Sequence, residues 1–141
     1  MFPCIDSLLI AARWEQGDLP RLADTLAWAS QRGLTVTLFG PMVQYDSSLP
    51  RLLATSIRDN DPNIPYNHRV AECARLDQEM SQLAQTKWRV RYVSFFKSLC
   101  QNRSCLEYAG EGVPLQFDYG HLTKDGSLLL AQMLQKNDQL P

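Results

Sequence analysis

The chain has 141 residues, enough for one domain, with 45% hydrophobic and 21% charged residues and a formal net charge of −1. That near-neutral balance offers no electrostatic footprint for nucleic acid or an anionic membrane surface. The apolar runs Leu8–Ala12 and Leu128–Ala131 are too short to span a bilayer, and the Met1–Asp6 start shows neither the basic region nor the apolar core of a signal peptide.

Ser7–Arg13 is a nearly continuous apolar run, the pattern of a strand buried on both faces. Gly17-Asp18 punctuates it, with Asp18 as an N-cap and Pro20 in a first helical turn. Leu19, Leu22, Ala23, Leu26 and Ala29 recur at helical spacing up to Gly33, and Leu34–Phe39 then reads as a second strand ending at Gly40-Pro41. Strand, helix, glycine and strand form a βαβ unit, which crosses over right-handed and pairs in parallel. A short helix is expected over about 49–58 and a longer one over about 67–86. A third strand is expected over 88–95, a turn-rich excursion over 100–112, a strand over 113–117 and a closing helix over about 124–136. There is no internal repeat and no dividing linker, so residues 1–141 read as a single α/β domain.

Ligands of open parallel sheets bind beyond the carboxyl ends of the strands. Arg13-Trp14, Gly40-Pro41 and Asp118–His121 all fall there by position, which makes Arg13, Trp14 and Gly40 candidates for contacting substrate. Within Phe117-Asp118-Tyr119-Gly120-His121, an acid three residues before a histidine in a turn can accept the imidazole Nδ1–H and leave Nε2 free to take a proton. That is the base-and-orienter part of a Ser-His-Asp site. A polar turn ahead of a helix, with Thr123 as its N-cap, would also account for the pattern. His68 reads as a solvated or capping residue and Trp14 as either a sugar-stacking ring or a seal on the core. No glycine-rich phosphate cradle is present, so a flavin or nucleotide reading rests on topology alone.

Cys100 and Cys105 flank a polar four-residue loop and can be read as a staple formed in an oxidising compartment or as half of a zinc site lacking its second half. Cys73 lies on an apolar helix face, and Cys4 has no assignment.

Phe117-Asp118-Tyr-Gly-His121-Leu-Thr, with Gly126 beyond it, resembles the last block of SGNH (GDSL-type) hydrolases. With Leu9–Trp14, Leu38–Tyr45 and Leu99–Cys105 in the same order, the chain resembles more narrowly the SGNH domain fused behind membrane O-acyltransferases of surface polysaccharides. The resemblance implies a flavodoxin-like three-layer sandwich with a mostly parallel sheet. It also implies a Ser-His-Asp triad acting on glycan acyl esters, with His121 as base and Asp118 as its orienting carboxylate. Backbone N–H groups at the strand-end rim would hold the oxyanion, Gly40 would stand near that rim, and Cys100 would be disulfide-bonded to Cys105. The implied location is the periplasm, with a membrane acyltransferase domain as partner, and no metal or organic cofactor is called for.

The family's Gly-Asp-Ser block has no counterpart. Asp6-Ser7 and Asp46-Ser47 are the Asp-Ser pairs, and neither follows a glycine at a strand end. The family's third-block asparagine is missing too, with Arg13-Trp14 near its place. The expectation is therefore a chain lacking the family's first strand, its serine lying upstream, and its Ser7–Arg13 strand left with an open edge prone to dimerise or aggregate. An inactive SGNH-like binding or structural module is the alternative.

Overall fold

The computed structural model describes residues 5–140, so Cys4 and most of the Met1–Asp6 stretch lie outside it. Its centre is a parallel sheet of β1 (Ser7–Ile10), β2 (Thr35–Phe39) and β3 (Arg91–Val93), in that spatial order. Helix α1 (Leu19–Gln31) carries the first crossover. Helices α2 (Leu49–Asp59), α3 (Ile64–Asn67) and α4 (Ala71–Leu83) occupy the second.

β2 is the buried centre, and its side chains alternate between two cores. Val36 and Leu38 face Leu22, Leu26 and Ala29 of α1 and Leu76 and Met80 of α4. Phe39 faces the other way, toward Leu49, Leu52 and Leu53 of α2 and Leu130 and Leu134 of α6 (Lys124–Lys136). The result is the three-layer α/β sandwich the sequence implies. Shielding of both sheet faces is what permits an all-parallel sheet.

Four expectations are modified, one being the third strand, expected over 88–95 and formed only as Arg91–Val93. β1 is an edge strand among the described residues, with alternating exposure and Leu9 59% exposed, because it has β2 on one side and no described strand on the other. The long helix begins at Ala71 rather than near 67. Its Gln44–Tyr45 neighbour takes the preceding backbone into bridges instead, with Val70 N–H donating to Gln44 O at 2.9 Å. The 113–117 run is not a fourth parallel strand. Only β7 (Val113–Pro114) pairs, antiparallel to β6 (Tyr108–Gly110), while Leu115 and Gln116 continue as fully buried chain.

Asp18, expected as a cap on α1, accepts the Glu15 N–H at 2.9 Å and closes the 3-10 turn before the helix. Thr123 caps α6 by accepting the Gly126 N–H at 3.0 Å.

Helix α5 (Phe95–Leu99) leads into a two-residue hairpin of β4 (Cys100–Gln101) and β5 (Ser104–Cys105), and a disulfide joins Cys100 to Cys105 across it. Asn102 and Arg103 both hold positive φ in the turn, a conformation that non-glycine residues enter reluctantly. Closing so short a loop removes little chain entropy, so replacing both cysteines by serine is expected to cost about 2 kcal/mol. Paired urea titrations of the oxidised protein and the double variant measure it.

Candidate active site

The turn at 117–121 is built by its own backbone. Asp118 Oδ1 accepts the N–H groups of Gly120 at 2.8 Å and His121 at 2.7 Å. Phe117 N–H donates to His121 O at 3.0 Å and closes the loop. From outside, Tyr45 N–H donates to Tyr119 O and Leu49 N–H to Asp118 O, at 2.9 and 3.0 Å. From beneath, the buried Gln116 amide donates to Val43 O at 2.8 Å and Gly120 O at 3.2 Å.

This scaffold aims the second carboxylate oxygen. Asp118 Oδ2 lies 2.7 Å from His121 Nδ1. An ionised carboxylate can only accept, so the imidazole proton sits on Nδ1 and Nε2 presents a lone pair. The imidazole ring is further set by Phe117, stacked at 5.8 Å between centroids, and by Tyr119, edge-on at 5.7 Å.

Partial burial pushes the Asp118 carboxyl upward. The Gly120 and His121 N–H groups and the imidazole outweigh it and hold its pKa down at about 2. Because that folded-state value lies below the ordinary carboxylate range, the pair stabilises the fold above about pH 4, and the contribution is lost as pH falls from about 4 to about 2. Melting temperatures measured across that window should fall more steeply for the native chain than for Asp118→Asn, whose amide does not titrate.

His121 opens onto a cleft of about 280 Å³ at the carboxyl end of the sheet. Ala11, Ala12 and Arg13 enter it from the end of β1, Gly40 and Met42 from the end of β2, and Phe95 from beyond β3. Three separated stretches that the sequence places at one rim thus meet at one cavity. Asp118 reaches it only through the imidazole.

Arg13 and Gly40 line this cleft; Trp14 does not. Its indole N–H donates to Phe39 O at 2.7 Å, and its ring packs on the α1/α4 core while walling the neighbouring groove. The Arg13 guanidinium lies 5.2 Å over the Tyr119 ring and donates to its hydroxyl at 3.2 Å. Gly40 is required sterically: a Cβ there would stand 2.0 Å from Tyr92 Oη and 2.8 Å from Asp77 Oδ1. Those two groups form a half-buried hydrogen bond of 2.8 Å. Burial first, then the adjacent carboxylate, keeps the Tyr92 phenol protonated.

Three backbone donors at the rim are occupied. Gly40 N–H donates to Val93 O at 2.9 Å, and those of Gly120 and His121 serve Asp118. No serine lines the cleft among the described residues. Ser7 stands at the opposite end of β1, three residues or roughly 10 Å before Ile10.

Tyr119, Met42, Phe95 and Gln116 escape sequence reasoning. Gln116, a polar residue inside the apolar 113–117 run, was the one with a readable signal. His68 also has an acid partner, Asp46 at 2.7 Å, on the exposed segment that buttresses the turn.

Among curated proteins none matches this chain. A solved structure, the periplasmic domain of a lipopolysaccharide acetyltransferase from Salmonella ser. Paratyphi A, superposes with a TM-score of 0.79 at 20% identity. The match covers 94% of this chain and 56% of that domain, so the chain spans little more than half of its structural relative. The family model described as the SGNH domain fused to AT3 domains matches residues 3–136. This chain belongs to the family of SGNH domains that occur fused to AT3 domains.

Proposed function

We propose that this chain is the acid–base portion of an SGNH-type acyl-ester enzyme, an O-acetyl esterase or O-acetyltransferase acting on a glycan. The observation that carries the reading is the 2.7 Å contact of Asp118 Oδ2 with His121 Nδ1 on a turn whose imidazole opens into a cleft. His121 Nε2 takes the proton of a serine hydroxyl as that oxygen attacks the acyl carbonyl, and returns it to the oxygen that leaves, that of the sugar in hydrolysis or of the acyl donor in transfer. The acyl group then passes from the serine to water or to a sugar hydroxyl, whose proton travels through the same nitrogen back to the serine. Asp118 stabilises the imidazolium formed between those steps.

The serine comes from polypeptide outside these 141 residues, seated against the free edge of β1. Two observations support that placement: the cleft has no serine among its described lining residues, and the β1 edge opens beside Ala11 and Ala12. The same polypeptide would pair with the β1 edge, which no strand among the described residues occupies. The setting proposed is the extracytoplasmic face of a membrane whose acyltransferase domain supplies the acyl group. No helix among the described residues is long and apolar enough to cross that membrane.

Among the described residues Arg13 is the one arginine or lysine that lines the cleft, and it would face the developing oxyanion beside backbone N–H groups of the rim. Arg13→Ala is expected to lower kcat about 10²-fold with little change in KM. Steady-state kinetics of the complete gene product on an aryl acetate reads both.

Fluorophosphonate labelling tests the assignment of the nucleophile. The 141-residue chain stays unlabelled, and the complete gene product takes up label that His121→Ala abolishes. Label on Ser7, or none on the complete product, contradicts it. The missing cleft serine also favours one rival, a nucleophile-free module that only binds glycan. That rival predicts no label in any form and glycan binding indifferent to His121→Ala.

A further inference from the structure

A second, larger concavity of about 520 Å³ adjoins the His121 cleft, and Arg13 and Gln44 belong to both. It is in the size range of small-ligand sites. Its apolar lining is formed by Trp14, Val70, Cys73 and Leu76. Its walls carry Gln16, Glu72, Arg75 and Glu79 as well as the two shared side chains.

The wall chemistry is self-paired and mixed. The Gln16 amide donates to both Glu79 oxygens at 3.1 and 3.0 Å, and the Arg75 guanidinium pairs with Glu72. Such exposed pairs hold weakly and exchange readily for ligand hydroxyls. With Glu15 counted, two arginines stand against three glutamates, a net lining charge of −1. A net negative wall repels phosphates, uronates and other polyanions. Alternating donors and acceptors beside an apolar lining suit the hydroxyl rim and C–H faces of an uncharged sugar.

We infer that this groove is a binding site for neutral glycan residues flanking the acylated position, the chain passing over Arg13 and Gln44 so that its ester or accepting hydroxyl enters the His121 cleft. The inference rests on the acyl-ester reading of that cleft and adds the substrate class, an uncharged oligosaccharide.

The test is an amide NMR titration of the 141-residue chain with neutral tetrasaccharides (malto-, cello-, manno- and chitotetraose) and with tetragalacturonate. At least one neutral tetramer should shift the Gln16 and Gln44 side-chain amides and the Trp14 indole saturably. Tetragalacturonate should bind about tenfold more weakly at equal salt. Glu72→Arg with Glu79→Arg, both on exposed helix positions, should reverse that preference. Silence of these signals toward every neutral tetramer, or preference of the native chain for the uronate, overturns the inference. The outcome is separable from the labelling result. Groove binding without label on the complete product removes the ester reading alone, and label without groove binding removes the groove alone.

Discussion

His121→Ala in the complete gene product is expected to lower ester turnover about 10³–10⁴-fold. The imidazole does two jobs that no neighbour can take over: it removes the nucleophile's proton and protonates the departing oxygen. Gln44 and Tyr119 share the cleft, but neither carries an imidazole. Asp118→Asn should fall in the same direction. Its amide can donate to Nδ1 and so place the imidazole proton on Nε2, the wrong nitrogen. KM should change little in both variants, since neither group is needed to hold the ground-state ester. A His121→Ala enzyme within tenfold of the native rate, measured with an aryl acetate, would show that the turn is merely a helix entry.

The largest effect on stability is expected at Gly126. A Cβ there would stand 2.2 Å from the Leu115 carbonyl oxygen and 3.1 Å from Thr123 Oγ1. That carbonyl is not free to move, because it accepts the Thr123 N–H at 2.9 Å and belongs to a fully buried residue. Gly126→Ala should therefore push α6 away from the segment that carries the site. A cost of about 3 kcal/mol, or about 10 °C in Tm, follows from overpacking against fixed backbone. Differential scanning calorimetry measures it. The same displacement should loosen the turn, so a melt shifted by less than 2 °C would mean that helix and buried segment are less tightly joined than the contact requires.

Much of the architecture is legible because strong local signals agree with the tertiary need. α6 falls where the apolar run after Gly126 puts it, and α1 where Leu19, Leu22, Leu26 and Ala29 share one face. β2, flanked on both sides, keeps Val36 to Phe39 buried as its apolar pattern demands. β1 has the same kind of sequence but a different outcome, since an apolar run cannot announce whether a neighbouring strand will be present. The third strand shrinks to Arg91–Val93 because Lys87 and Trp88 complete a π-helical turn, and Arg89 reverses the chain in the left-handed region.

The site divides in the same way. Asp118 and His121 are readable because three-residue spacing in a turn is a local geometry, and the carboxylate enforces it through adjacent N–H groups. Arg13 and Gly40 are readable as strand-end positions. The aromatic clamp of Phe117 and Tyr119 and the Gln116 support are not, for they depend on how a non-strand segment is held by Val43, Tyr45 and Leu49 from far away in sequence.

The most direct measurement is the tautomer of His121 in the 141-residue chain, read from its imidazole nitrogen resonances at neutral pH. The Asp118 contact predicts a proton fixed on Nδ1, a bare Nε2, and loss of that preference in Asp118→Asn. An imidazole protonated on Nε2, or one whose resonances are indifferent to Asp118→Asn, would contradict the claim that this turn holds a base ready for an incoming hydroxyl.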